Sequence, residues 1–215
     1  MSIGQWMRPP GGSAWHFDAG AESLDFAYTG ELAGSAGGGE LLRTAADLGA
    51  WLAERVPRLD AAEVTERDLP DALGLRDALA RLYTARADDS GPDPDDVDTL
   101  NLFAAMPDIP PSLGGGRRQA GAGRIRVGQA LSSLAREAVT ILGEQAADGE
   151  VRVRRCAADD CRLVFRDESR TNNRRWCSME RCGNRAKVRA HRERAAMRRL
   201  RERGGHVADS GGSEA

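Results

Sequence analysis

The chain has 215 residues, with 31 Lys and Arg against 33 Asp and Glu and a formal net charge of −2. That length allows one domain with a real core plus a small appended module, or two small domains. No stretch approaches the about 20 apolar residues of a membrane span, and the first residues lack the basic-then-apolar order of a secretory signal, so a cytosolic protein with no membrane association is expected.

Residues 1–14 are rich in Pro and Gly and are expected to be a disordered N-terminus. "AWHFDAG" follows, a short strand with Trp15 and Phe17 on one face, and then "AESLDFAYTGEL", read as helical with Leu24, Ala27, Tyr28 and Leu32 at helical spacing. "GSAGGG" at 34–39 breaks the chain. Residues 40–56 place Leu41, Leu42, Ala45, Leu48, Trp51, Leu52 and Val56 along one stripe that Pro57 ends. A second amphipathic helix is predicted over 70–87, and a third over 94–105 beyond the acidic turn "DDSGPDPDD". The Pro/Gly-rich run 106–123 is irregular, "GRIRV" reads as a strand, and 128–146 is a fourth helix. The fold class is α+β, mainly α: a helical N-terminal domain over 15–149 with a short strand or hairpin and no catalytic motif, so no enzyme is expected.

All four cysteines lie in the last third, as C-x4-C (Cys156, Cys161), fifteen residues, then C-x4-C (Cys177, Cys182). Two close pairs separated by a short loop suit one tetrahedral zinc ion, each pair wrapping one side of it. Four thiolates leave no open position for water, so the metal is structural. Between the pairs, Leu163, Val164 and Phe165, a polar turn and Trp176 read as strand, turn, strand, and the second pair opens a helix. So few apolar residues would lean on zinc for their folding free energy. A redox pair and four incidental thiols are the competing readings, and a thiol switch that releases zinc on oxidation stays open. His16, His191 and His206 fall outside the spacing.

The near-neutral total hides an asymmetry, because residues 151–203 hold 18 Lys and Arg against 7 Asp and Glu. A helix is predicted from Gly183 to Arg203, ended by Gly204 and Gly205, and most of its circumference is guanidinium. Such a face suits a polyanion. The candidate nucleic-acid contacts are Arg166, Arg170, Asn172, Asn173, Arg174, Arg175, Asn184, Arg185, Lys187, Arg189 and Arg192. Docking onto the acidic N-terminal body is the alternative use of this charge.

"RRWCSMERCGNRAK" resembles the signature of the bacterial CGNR zinc-finger family, whose tetrapeptide stands here as Cys182-Gly183-Asn184-Arg185. "RRCAADDCRLVFRDESRTNNRRW" is similar to the rest of that finger, and "SLDFAYTGE", "DLGAWL" and "LRDALARLYTA" resemble the ABATE domain that precedes it. Tyr28 departs from the pattern, which has Asn after "LDFA". The resemblance implies a small treble-clef-like zinc module over 150–203, a β-hairpin plus C-terminal helix, followed by a disordered tail over 204–215. It implies the four cysteines as ligands of one zinc ion, Asn184 and Arg185 as finger-defining residues, and a stress-responsive transcription regulator. The expected partners are DNA at the nucleoid, a small-molecule effector of unknown identity and a second copy of the chain. The rivals are an RNA-binding module, a zinc-thiolate redox sensor, and an N-terminal domain acting on a small molecule, with Asp25 and His16 as its weak candidates.

Overall fold

The computed structural model describes residues 3–8, 13–30, 39–111, 123–148 and 151–205, with side chains described up to 143 in the helix before the finger and up to 199 in the last helix. The expected break at 34–39, apart from Gly39, the core of the 106–123 loop, Leu32 and the tail from 206 lie outside the described residues. The described chain is mainly helical with two small antiparallel hairpins. Its contacts divide it into two units, Met1–Cys177 and Ser178–Ala215.

The first unit opens with a hairpin of β1 (Gln5–Met7) and β2 (Trp15–Phe17), paired Gln5 to Phe17 and Met7 to Trp15. The N-terminus is therefore not wholly disordered. Met7 and Phe17 bury one face of the hairpin, and the carboxylate of Asp25 accepts from the N–H groups of Gly4 (3.0 Å) and Ala19 (3.1 Å) on its two sides. Gly4 adopts φ +66°, and a Cβ there would sit 2.6 Å from the Phe17 carbonyl oxygen, so only glycine allows the strand to start.

Helix α1 (Glu22–Ala27) is shorter than its predicted span and is the centre of the core, with Leu24 and Phe26 fully buried. Burying a side chain of that size contributes about 1.5–3 kcal/mol. Helix α2 (Ala45–Arg55) starts at a capping box, in which Thr44 Oγ1 accepts from Asp47 N–H and the Asp47 carboxylate accepts from Thr44 N–H. Pro57 keeps it from continuing. Helices α3 (Asp68–Ala87), α4 (Pro94–Ala105) and α5 (Val127–Asp148) lie within a few residues of their predicted spans. Leu75, Leu79, Leu82 and Tyr83 of α3, Leu100 and Phe103 of α4, and Leu131, Leu134 and Ile141 of α5 form the core around α1. "GRIRV" is not a strand: Ile125 makes one parallel bridge to Leu59, donating to the Arg58 carbonyl at 3.2 Å, and Val127 already begins α5.

The second hairpin pairs β3 (Val153–Arg155) with β4 (Val164–Arg166). The expected strand-turn-strand between the cysteine pairs is thereby corrected. The partner of Val164–Phe165 lies upstream of Cys156, because the alternating "VRVRR" can turn Val153 inward, whereas 167–176 is too polar to pair. An isolated two-stranded hairpin is marginal in water. Here Val153, Val164 and Phe165 are fully buried in the first unit, β4 packs against α3, and Arg166 N–H donates to Ala19 O at 2.7 Å. Gly20, at φ +84°, lets that loop pass directly over the Arg166 carbonyl.

The second unit, taken alone, is a wide helical turn, Met179–Gly183, running into helix α6 (Asn184–Gly205).

Candidate metal centre and basic helix

The hairpin turn presents the first cysteine pair. Cys156 N–H donates to Leu163 O at 2.8 Å and Cys161 N–H to Ala158 O at 2.9 Å, closing the loop between β3 and β4. Ala157 N–H reaches Arg175 O at 2.8 Å, and Cys177 N–H donates to Cys156 Sγ at 3.4 Å, which draws the third cysteine onto the first pair. Ser178 caps the following turn, and both Cys182 N–H (3.1 Å) and Gly183 N–H (3.0 Å) reach its carbonyl. This wide turn places the Cys182 side chain fully inside.

The Sγ atoms of Cys156, Cys161, Cys177 and Cys182 all lie within 4.8 Å of one another, and none is in a disulfide. Zn–S bonds of about 2.3 Å in a tetrahedron put sulfurs about 3.8 Å apart. Cys161 Sγ and Cys177 Sγ are 3.7 Å apart. Hydrogen bonds from Cys161 and Cys177 pull the Cys156 thiol down to about 2, while those same contacts push Cys161 up to about 12 and Cys177 upward as well. A metal ion among four thiolate donors would take the place of their protons. The donor set fits one structural zinc ion, held by the four cysteines.

Arg185 Nη2 donates to Cys182 Sγ at 3.2 Å, so the Arg of the tetrapeptide touches a ligand. That contact disperses charge from the thiolate it reaches.

The other candidate contacts separate into two sets. Arg174 is used within the fold: Nε donates to Trp176 O (3.1 Å), Nη2 to Asp18 O (3.1 Å) and Cys177 O (2.5 Å), and the guanidinium lies 4.4 Å from the Phe165 ring centre. Asn172, in the left-handed region at φ 46°, accepts from Arg154 at 2.9 Å, and Arg166 is half-buried beside Glu168. Arg170, Asn173 and Arg175 are exposed. Within the second unit Asn184, Arg185, Lys187, Arg189 and Arg192 are all exposed, as are Arg194, Arg198 and Arg199, which sequence reasoning missed although the same arginine-rich helix carries them. Val188 and Met197 are half exposed on that helix.

Residues 152–195 match the model of the CGNR zinc finger. Residues 20–145, more than half of the chain, match the ABATE model, described as "putative stress-induced transcription regulator". The chain belongs to the ABATE family. No curated protein matches it. In this ABATE protein Tyr28, the departure from the family pattern, braces the finger, since its hydroxyl bonds to the backbone of Val164 in the hairpin that carries the first cysteine pair. Asp25 is likewise spent on backbone N–H groups, while His16 is exposed, its Nε2 3.0 Å from Ile3 O.

Proposed function

We propose that the chain is a zinc-dependent, DNA-binding transcription regulator, stress-responsive, working at the nucleoid in the cytoplasm, whose N-terminal domain senses a signal or dimerises and catalyses no reaction. The observation that carries this reading is helix α6. Immediately after the fourth cysteine it exposes Arg185, Lys187, Arg189, Arg192, Arg194, Arg198 and Arg199, and Glu193 is the one acidic residue among its described side chains. A solvated helix face ordinarily mixes both signs. One so unbalanced gains most from a phosphate backbone, where each neutralised phosphate releases counterions.

DNA is favoured over single-stranded RNA by the state of the aromatics. Phe165 is buried under Arg174, and Arg175 lies over Trp176, so the two rings the finger offers for base stacking are already covered.

The test is fluorescence anisotropy on a labelled duplex as salt is raised, with the zinc-loaded chain and with the chain after chelation. Affinity that falls linearly on a log–log plot, and that chelation removes, is the expected result. Equal, salt-independent affinity before and after chelation would reject the reading.

A further inference from the structure

The last turn of α2, the corner Val56–Arg58, Ile109 and one face of α5 border an open pocket of about 280 Å³ in the N-terminal domain. Its walls are largely apolar, through Leu52, Val56, Pro57, Ile109 and Leu134. Four charged side chains also border it: Glu22, Arg55, Arg58 and Glu137.

Two of the four are spent on each other. Arg55 Nε lies 3.2 Å from Glu22 Oε2, with the Arg55 side chain only 4% exposed. The guanidinium also donates to Trp51 O (3.2 Å) and Gly4 O (2.7 Å) and lies 4.0 Å from the Trp51 ring centre. Glu22 is further fixed by Ile3 N–H at 3.1 Å.

The other two have no ion-pair partner among the described residues. Glu137 Oε2 accepts from both Ser23 N–H and Ser23 Oγ at 2.6 Å, and Ser23 Oγ is in turn bonded to the buried Tyr83 hydroxyl at 2.8 Å. That arrangement aims the carboxylate and leaves its charge unmatched. The charge is felt nearby, since Glu22 is pushed up by burial, against the pull of Arg55, with Glu137 adding to the rise. Arg58 sits at the cavity's edge in the left-handed region, φ 74°, held there by the Ile125 bridge to its carbonyl, with its side chain exposed.

One fixed anion, one available cation and an apolar wall around a small volume are complementary to one kind of molecule. We propose that this cavity binds a small zwitterion of the free α-amino-acid class with an apolar side chain, its ammonium on Glu137, its carboxylate on Arg58 and its side chain against Ile109 and Leu134. The volume lies just below the usual range of ligand pockets, about 300–1,000 Å³, and suits a small effector better than a nucleotide. The proposal names the chemistry of the signal that the sensing role calls for. It rests on that reading for its purpose only, because binding is measured without DNA.

The experiment is isothermal calorimetry on the full zinc-loaded chain with L-leucine, L-valine, L-methionine and L-phenylalanine. For leucine the two one-ended analogues, isoamylamine and 4-methylpentanoic acid, are titrated alongside. Saturable binding of at least one amino acid is expected, with each analogue weaker than leucine by about tenfold or more, the loss of one charge-assisted contact. Arg58→Gln, a change at an exposed side chain, is expected to weaken the amino acid by a similar factor and to leave isoamylamine unaffected. No binding of any of the four at millimolar concentration, analogues as tight as the amino acid, or an Arg58→Gln chain with unchanged affinity would overturn the proposal. A chain that binds DNA but none of these ligands overturns this site and leaves the regulator standing; ligand binding without DNA binding does the reverse.

Discussion

The hydroxyl of Tyr28 satisfies both backbone groups of Val164, donating to its carbonyl at 2.9 Å and accepting from its N–H at 2.6 Å, across 136 residues of sequence. Tyr28 is buried, and burial pushes its hydroxyl well above the ordinary tyrosine range, so it stays protonated and able to donate. Tyr28→Phe leaves a buried N–H and C=O unmatched and is expected to cost about 1–3 kcal/mol. Urea unfolding of the two proteins measures this, and a difference below about 0.5 kcal/mol would show that water replaces the hydroxyl without loss.

Zinc and the N-terminal body hold different parts of the finger. Val153, Val164 and Phe165 are buried in the first unit, whereas the wide turn and α6 belong to the second. Cys182→Ser is expected to lower bound zinc well below one ion per chain and to abolish amide protection from 178 onward, with 153–166 still protected. Metal analysis and hydrogen exchange read both. A variant with full zinc and native protection contradicts the assignment of Cys182 as a ligand.

Arg185 is expected to guard the metal as well as to carry charge. Its hydrogen bond to Cys182 Sγ is of the kind whose removal weakens metal sites by about 10- to 100-fold. Arg185→Ala should therefore release zinc to a chromogenic chelator faster, and under mild peroxide faster still, with Arg185→Lys between the two. Identical release rates in all three chains would reduce Arg185 to a surface cation.

Arg174 and Arg192 differ in what their loss does. Arg174→Ala removes three backbone hydrogen bonds and the stacking on Phe165, so it is expected to lower stability by about 1–3 kcal/mol and leave the salt dependence of DNA binding unchanged. Arg192→Ala, on an exposed helix face, should do the opposite, reducing the salt slope by about one unit per lost phosphate contact. Anisotropy titrations and thermal melts of both variants separate the two roles, and a reversal of the pattern would exchange them.

Asp88, at the end of α3, is held below the usual carboxylate range by its hydrogen bonds to the Arg155 guanidinium. With the folded value depressed, the pair adds stability above the unfolded carboxylate value of about 3.9, and that contribution is lost as pH falls through the folded value. A carboxyl NMR titration of Asp88 should find its midpoint low in the wild type and returned upward in Arg155→Gln. Equal midpoints would mean that the pair does not persist in solution.

The four long helices of the first unit were legible because apolar residues recur on one face and because Pro57 and the acidic turn before Pro94 mark ends, although α2 begins only at Ala45, after the Thr44 capping box, where the apolar stripe predicted a start at 40. The cysteine cluster was legible for the same reason: ligand spacing is a local property. Strand β1 was not, since Met7 is inside only because Asp25, eighteen residues away, ties down both sides of its hairpin. The pairing of β4 was misread because an apolar trio does not say which neighbour it pairs with, and the first cysteine pair turned out to be the hairpin's turn. Arg174 looked like a phosphate contact because its partners, Asp18 and Phe165, meet it only in the tertiary structure.

The most direct measurement takes the full-length, zinc-loaded protein, incubates it with fragments of its own genome at about 0.2 M salt, where purely electrostatic binding is weakened, and sequences what is retained. A recurring enriched site is the expected result, and its spacing would show whether the chain binds as a symmetric dimer. Recovery indistinguishable from the input would contradict the assignment of α6 and the zinc module to sequence-specific DNA binding.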